Sequence, residues 1–145
     1  MQKRHELQVQ DFYKQWSTTV FTFCRLFLGE EESAEEATHE AFVGFLSEMP
    51  DLEQHRIPVR LLRKAFDAAR NKSRNIGTQF PDTDEMEDMI PLLPEEERAV
   101  FILRSVLDLD FPEISVITGL PTERVHRLWS ESLLHVRDFW LKKAS

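Results

Sequence analysis

Apolar residues recur three and four positions apart from one end of this chain almost to the other, and that spacing commits it to helices. Phe12, Trp16, Val20, Phe23 and Phe27 follow at intervals of four, four, three and four, one face of a helix that Gly29 ends. Ser33 and Glu36 predict a capping box, each side chain satisfying the other's free N–H. The helix it opens carries Ala37, Ala41, Phe42, Phe45 and Met49 on one side, and Met49-Pro50 stops it, because the residue before proline is steered out of the helical region. A third helix is predicted from about Pro58 to Asn75. Its arc of Leu61, Leu62, Ala65, Ala68 and Ala69 lies opposite Arg60, Arg63, Lys64, Asp67, Arg70 and Arg74.

Gly77 to Met89 has no helical stripe and five acids without a base, so it is predicted to be a linker. The pattern resumes at Pro94, a favoured first-turn residue, with Val100, Leu103 and Leu107 as the apolar face. Asp110 to Glu113 predicts a second capping box, opening a short helix with Ile114 and Ile117. After the turn at Thr118-Gly119-Leu120, a last helix is predicted from about Thr122 toward Lys142, its buried stripe Val125, Trp129, Leu133 and Val136. The short helix, glycine turn and longer helix with a polar first turn have the helix-turn-helix layout. The expected fold is all-α: a three-helix domain over 1–76, an acidic linker over 77–91, and a helix-turn-helix domain over 92–145.

Composition narrows the function. The 145 residues leave room for one ordinary domain or two small ones. Four Gly and seven Pro supply little turn chemistry for a β fold, and one Cys excludes a disulfide framework or a cysteine zinc site. The formal net charge of -8 excludes a uniformly basic nucleic-acid binder. That charge is unevenly spread. Arg56 to Arg74 holds seven bases against Asp67, whereas Glu30–Glu40 and Asp82–Glu97 hold fourteen acids and no Lys or Arg. No segment reaches the ~18 apolar residues of a spanning helix, and the N-terminus has no apolar signal region, so a cytoplasmic protein without membrane insertion is expected.

Catalytic patterns fail one by one. His39-Glu40 begins a zincin-like motif, but Val43 stands where the second His is needed. Glu36/His39 and Glu123/His126 have the spacing of di-iron bundles but sit in polar first turns rather than on an inward stripe. Cys24 lies between Phe23 and Phe27 as core filler. Neither an enzyme, a metal nor a cofactor is expected.

Several stretches resemble one family. Leu93-Pro94-Glu95-Glu96-Glu97-Arg98-Ala99-Val100-Phe101 resembles the LPxxxRxVF opening of sigma-factor region 4, and Asp110 to Ser115 resembles its sxxEIA helix. Gly119 to Val125 is similar to the start of its recognition helix. Ala34-Glu35-Glu36-Ala37-Thr38-His39-Glu40-Ala41-Phe42 resembles the AEDxxQExF of region 2. The chain thus looks like an RNA polymerase sigma factor of the extracytoplasmic-function type, with regions 2 and 4 only. The resemblance implies that Glu36, His39 and Phe42 face the β′ clamp helices of polymerase core. It implies that Arg60, Arg63, Lys64, Arg70 and Arg74 line the −10 promoter strand. Thr122, Arg124, His126 and Arg127 would touch the −35 element while region 4 docks on the β flap. An anti-sigma factor is a further implied partner.

The chain also departs from that family. The third helix usually has a Trp near Arg60, an Asn near Asp67 and an Asp near Asn71, and all three are replaced here. From Pro121 to Arg137 three Arg oppose two Glu, a small surplus for phosphate binding. An alternative expectation is therefore a sigma-derived interaction module that binds polymerase or an anti-sigma partner without promoter activity. A helix-turn-helix repressor using only the second half is a third.

Overall fold

The computed structural model describes residues 2–48, 57–73 and 89–144, with side chains from 9 to 48, 59 to 73 and 89 to 142. Among these residues six α-helices and no strand are present: α1 (Gln2–Leu28), α2 (Glu31–Ser47), α3 (Ile57–Ser73), α4 (Glu95–Phe101), α5 (Phe111–Thr118) and α6 (Thr122–Ala144). The all-α expectation holds. Phe12, Val20, Phe23 and Phe27 are buried along α1, with Trp16 packed beside them. They meet Phe42 and Phe45 of α2 and Phe66 of α3; Phe12 stacks on Phe45 at 5.4 Å and Phe27 meets Phe66 edge-on at 6.1 Å.

The predicted capping box at Ser33 does not form. Gly29 takes φ +75°, a left-handed conformation open to glycine, and α2 restarts at once from Glu30, which makes no side-chain cap. Ser33 therefore falls inside the first turn, and Glu36 is free to pair elsewhere. Met49, Pro50 and Asn75 lie outside the described residues, as do 77–88 of the expected linker. The end of that stretch is folded: Met89 and Ile90 are buried, and Ile90–Leu92 makes a 3-10 turn against α1.

The second half follows the sequence more closely. Pro94 stands at the N-cap, one position before the first turn expected for it, and its carbonyl accepts from the Arg98 N–H at 2.8 Å. Asp110 and Glu113 form the expected box, Glu113 N–H donating to Asp110 Oδ1 at 2.8 Å and Asp110 N–H to Glu113 Oε1 at 3.2 Å. Gly119 takes φ +75° and ends α5. α4 runs directly into a π-helical turn, Ile102–Val106, which the apolar spacing did not announce.

On α6 the expected stripe is corrected. Leu133 is 40% exposed, while Ser132 is wholly buried and donates to the Trp129 carbonyl at 2.6 Å. The buried line runs through Val125, Leu128 and Ser132 because that face meets α4, and Leu133 points about 100° away. There the Glu97 carboxylate, 2% exposed, takes His135 Nδ1 as its partner at 2.8 Å.

The two halves share one core. Phe27, Phe66, Val100, Ile102 and Ile114 belong to a single buried cluster, and α3 packs against α5. Arg98 pins the junction: its guanidinium donates to the Leu93 carbonyl at 2.9 and 3.1 Å and to the Phe27 carbonyl at 3.0 Å, and lies over the Phe27 ring. No helix among the described residues is long and apolar enough to cross a membrane.

Cys24 is fully buried, and burial pushes its thiol up to about 12, against a small opposing hydrogen bond with Thr38. Since the thiolate is the reactive form, Cys24 is expected to ignore a thiol reagent at neutral pH until the chain unfolds. Labelling across a urea titration checks this: modification should track the unfolding curve, and rapid labelling in native buffer would contradict it.

Candidate nucleic-acid and polymerase interfaces

α3 is amphipathic to an unusual degree. Its apolar arc, Leu61, Leu62, Ala65, Phe66 and Ala69, is buried, which turns the predicted basic arc outward. Each described base on that arc already has a partner in the chain. Lys64 pairs with Glu48 at 2.5 Å and Arg60 with the same carboxylate at 3.6 Å. Lys64, with Arg60 behind it, holds the Glu48 carboxyl below its ordinary value. Arg60 also lies over the Phe45 ring at 5.7 Å. Arg63 donates to the Val116 carbonyl at 2.9 Å, and Arg70 to Glu95 at 2.6 Å. Arg74 lies outside the described residues.

On α2, Glu36 and Glu40 together clamp Lys72 at 2.9 and 3.0 Å, which raises the Lys72 ammonium above its ordinary value. His39 is exposed beside them and lines a shallow groove between α1 and α2 with Tyr13, Phe21 and Glu35. Phe42 is placed elsewhere. It is 4% exposed, packed edge-on against Phe12 at 5.8 Å and against Tyr13 at 4.8 Å. Its ring is part of the core, whereas Glu36, His39, Tyr13 and Val43 are exposed.

Thr122, Arg124, His126 and Arg127 all lie exposed in the first turns of α6. Arg124 reaches back to Glu96 at 2.8 Å, and the His126 ring lies tilted against Phe111, 3.8 Å between ring centres. Arg104 joins that cluster, lying over Phe111 and Trp129. Thr122 and Arg127 keep their side chains toward solvent. The internal acids Glu48, Glu95 and Glu96 were not singled out from sequence. Their signal was weak: each is one acid among many, and only the fold shows which base it meets.

Residues 83–135 match the sigma-70 region 4 family. That match covers most of the second half of the chain. The fold of the whole chain agrees with it. CnrH, solved in complex with the cytosolic domain of CnrY, superposes with a TM-score of 0.74 at 16% identity, over 94% of this chain and 89% of that one. The sigma factor RpoE, solved in complex with the anti-sigma factor NepR from Bartonella quintana, gives 0.69 at 11% identity, over 90% of this chain and 96% of that one. No curated protein matches at the sequence level. The chain therefore shares the fold of these two proteins over nearly its whole length, and α4 to α6 fall within the stretch that matches region 4.

Proposed function

We propose that this chain is a sigma factor that binds RNA polymerase core in the cytoplasm and directs it to a promoter. The region 4 match carries the reading, and the sigma fold over nearly the whole chain supports it. Polymerase supplies the chemistry, so the chain has no catalytic step of its own. The exposed Glu36 and His39 surface is assigned to the clamp helices, α3 to the −10 strand and the first turns of α6 to the −35 element. Guanidinium and ammonium groups on α3 would replace phosphate counterions. An anti-sigma partner is proposed by analogy with RpoE and NepR.

Charge reversal tests the α3 assignment. Arg60→Glu/Lys64→Glu reverses two surface cations that share Glu48, with urea denaturation as the control because Arg60 also lies over the Phe45 ring. Core binding in a pull-down should be unchanged, while run-off transcription should fall at least about tenfold. Equal transcripts from variant and parent would sink the assignment. The internal pairing of Arg124 with Glu96, together with the small positive surplus of α6, favours the second reading, an interaction module without promoter activity. Binding of core by the unaltered chain with no run-off product would establish it instead.

A further inference from the structure

α6 carries two apolar faces, and the fold covers one. Val125, Leu128 and Ser132 turn toward α4, whereas Leu133, Leu134, Trp140 and Leu141 are 40 to 61% exposed. At 100° per residue those four fall on one arc about 120° wide, turned away from the buried line. The other large apolar side chains exposed among the described residues, Tyr13, Val43, Val106 and Val116, stand one to an element, as scattered surface residues do. Four within the span from 133 to 141 make a stripe instead. Its middle is taken by Arg137, whose Nε and Nη2 both donate to Asp138 Oδ1, at 3.3 and 3.2 Å. That pairing leaves the centre of the stripe without net charge.

We propose that this stripe is the contact through which two copies of the chain pair, their α6 helices running antiparallel about a two-fold axis at Arg137. The pattern is its own complement. Antiparallel pairing at that point sets Leu133 opposite Leu141 and Leu134 opposite Trp140, so each large apolar residue of the stripe meets another. An isologous contact requires this, because the same patch serves both copies. The charges obey the same symmetry. Arg137 and Asp138 of one copy face the same pair reversed, two cations against two anions, and Glu131 of one copy comes beside Lys142 of the other. Parallel pairing would instead set Glu131 against Glu131 and Lys142 against Lys142. The first turns of α6, with Thr122, Arg124, His126 and Arg127, are left at the two far ends of the pair, so the proposal stands apart from the promoter reading. A contact between two half-exposed helix ends is small, below the roughly 1,200 Å² of a standard interface. The pair therefore exchanges with monomer and is governed by concentration.

Sedimentation equilibrium of the full chain carries the test. Over about a hundredfold range of concentration the mean mass should climb from that of a monomer toward twice that value. Leu134→Glu/Leu141→Glu puts carboxylates on half-exposed positions of the contact, and should weaken pairing at least about tenfold while the urea midpoint is kept. Charge gives a second reading. Arg137→Asp and Asp138→Arg each bring four like charges to the axis and should stay monomeric alone, whereas a one-to-one mixture of the two should pair again. Cross-linking reads the register. Arg137→Cys meets its own counterpart and should form an intermolecular disulfide under diamide; Ser130→Cys lies about 20 Å along the axis from its counterpart and should not. Cys24 is buried in both variants. A monomer at every concentration overturns the proposal, and loss of polymerase core from Leu134→Glu/Leu141→Glu would then give the stripe to polymerase. A dimer that survives both the leucine and the charge variants overturns α6 as its site. Cross-linking of Ser130→Cys as readily as Arg137→Cys overturns the antiparallel register.

Discussion

Replacing Arg98 with alanine is expected to lower the unfolding free energy by about 3 kcal/mol, read as a fall in urea midpoint at unchanged slope. The residue stands at the fifth position after Leu93, the arginine of the region 4 opening, and the structure gives it a mechanical task. Its three N–H groups satisfy the Leu93 carbonyl before α4 and the Phe27 carbonyl in the last turn of α1. Truncation leaves those acceptors without their charged donor and removes a cation 4.8 Å from the Phe27 ring centre. Burial lowers the Arg98 guanidinium from its ordinary value, with the Glu95 charge opposing, and the group stays ionised at any pH the fold survives. Arg98→Lys should recover only part of the loss, because one ammonium cannot reach carbonyls on two sides as the planar fork does. A loss below about 1 kcal/mol for the alanine variant would mean that water replaces the guanidinium.

The second large effect is expected from Gly29→Ala, again about 3 kcal/mol, set against about 1 kcal/mol for Gly119→Ala. Both glycines take φ +75°, so both variants force an L side chain into the left-handed region. They differ in what the new methyl meets. At Gly119 nothing lies within 4 Å, whereas at Gly29 a Cβ would stand 2.9 Å from Pro91 Cγ and 3.4 Å from its Cβ. A pyrrolidine ring cannot swing aside as a long side chain would, so the clash falls on the packing of the 3-10 turn against α1. Equal losses from the two variants in urea denaturation would show that Pro91 yields.

What was legible in the sequence were the features that depend on near neighbours. The stripe of α1, the Asp110 capping box, the αL glycines that end α1 and α5, and the buried arc of α3 all follow from spacings of three or four residues. The Ser33 box failed for a reason of the same range: glycine turned the chain earlier than a serine cap requires. Leu133 was misplaced because the stripe on α6 is set by where α4 crosses it, a fact of tertiary packing. The site residues divide in the same way. Outward placement of Arg60, Arg63, Lys64 and Arg70 was readable from helix periodicity. That Arg63 would find a carbonyl 53 residues away, or Arg70 a carboxylate 25 residues away, was not. Phe42 belongs to the polar-looking region 2 stretch by sequence and to the aromatic core by position.

The π-helical turn at Ile102–Val106 has a consequence for chain length. Leu107 N–H bonds the Ile102 carbonyl, five residues back, rather than the four of an α-helix. An extra residue swells a helix in this way only when both ends are held, and here they are: Arg98 anchors the start, and Leu109 bonds the Leu103 carbonyl as the chain turns toward α5. Deleting one residue from this turn would let it relax into ordinary α geometry while the faces on either side keep their bearings. The same deletion three residues earlier, inside α4, would rotate Val100 and Phe101 by about 100° away from the core. The turn is therefore where the described residues of the second half hold an extra residue, and where one can be lost without cost to either neighbouring helix.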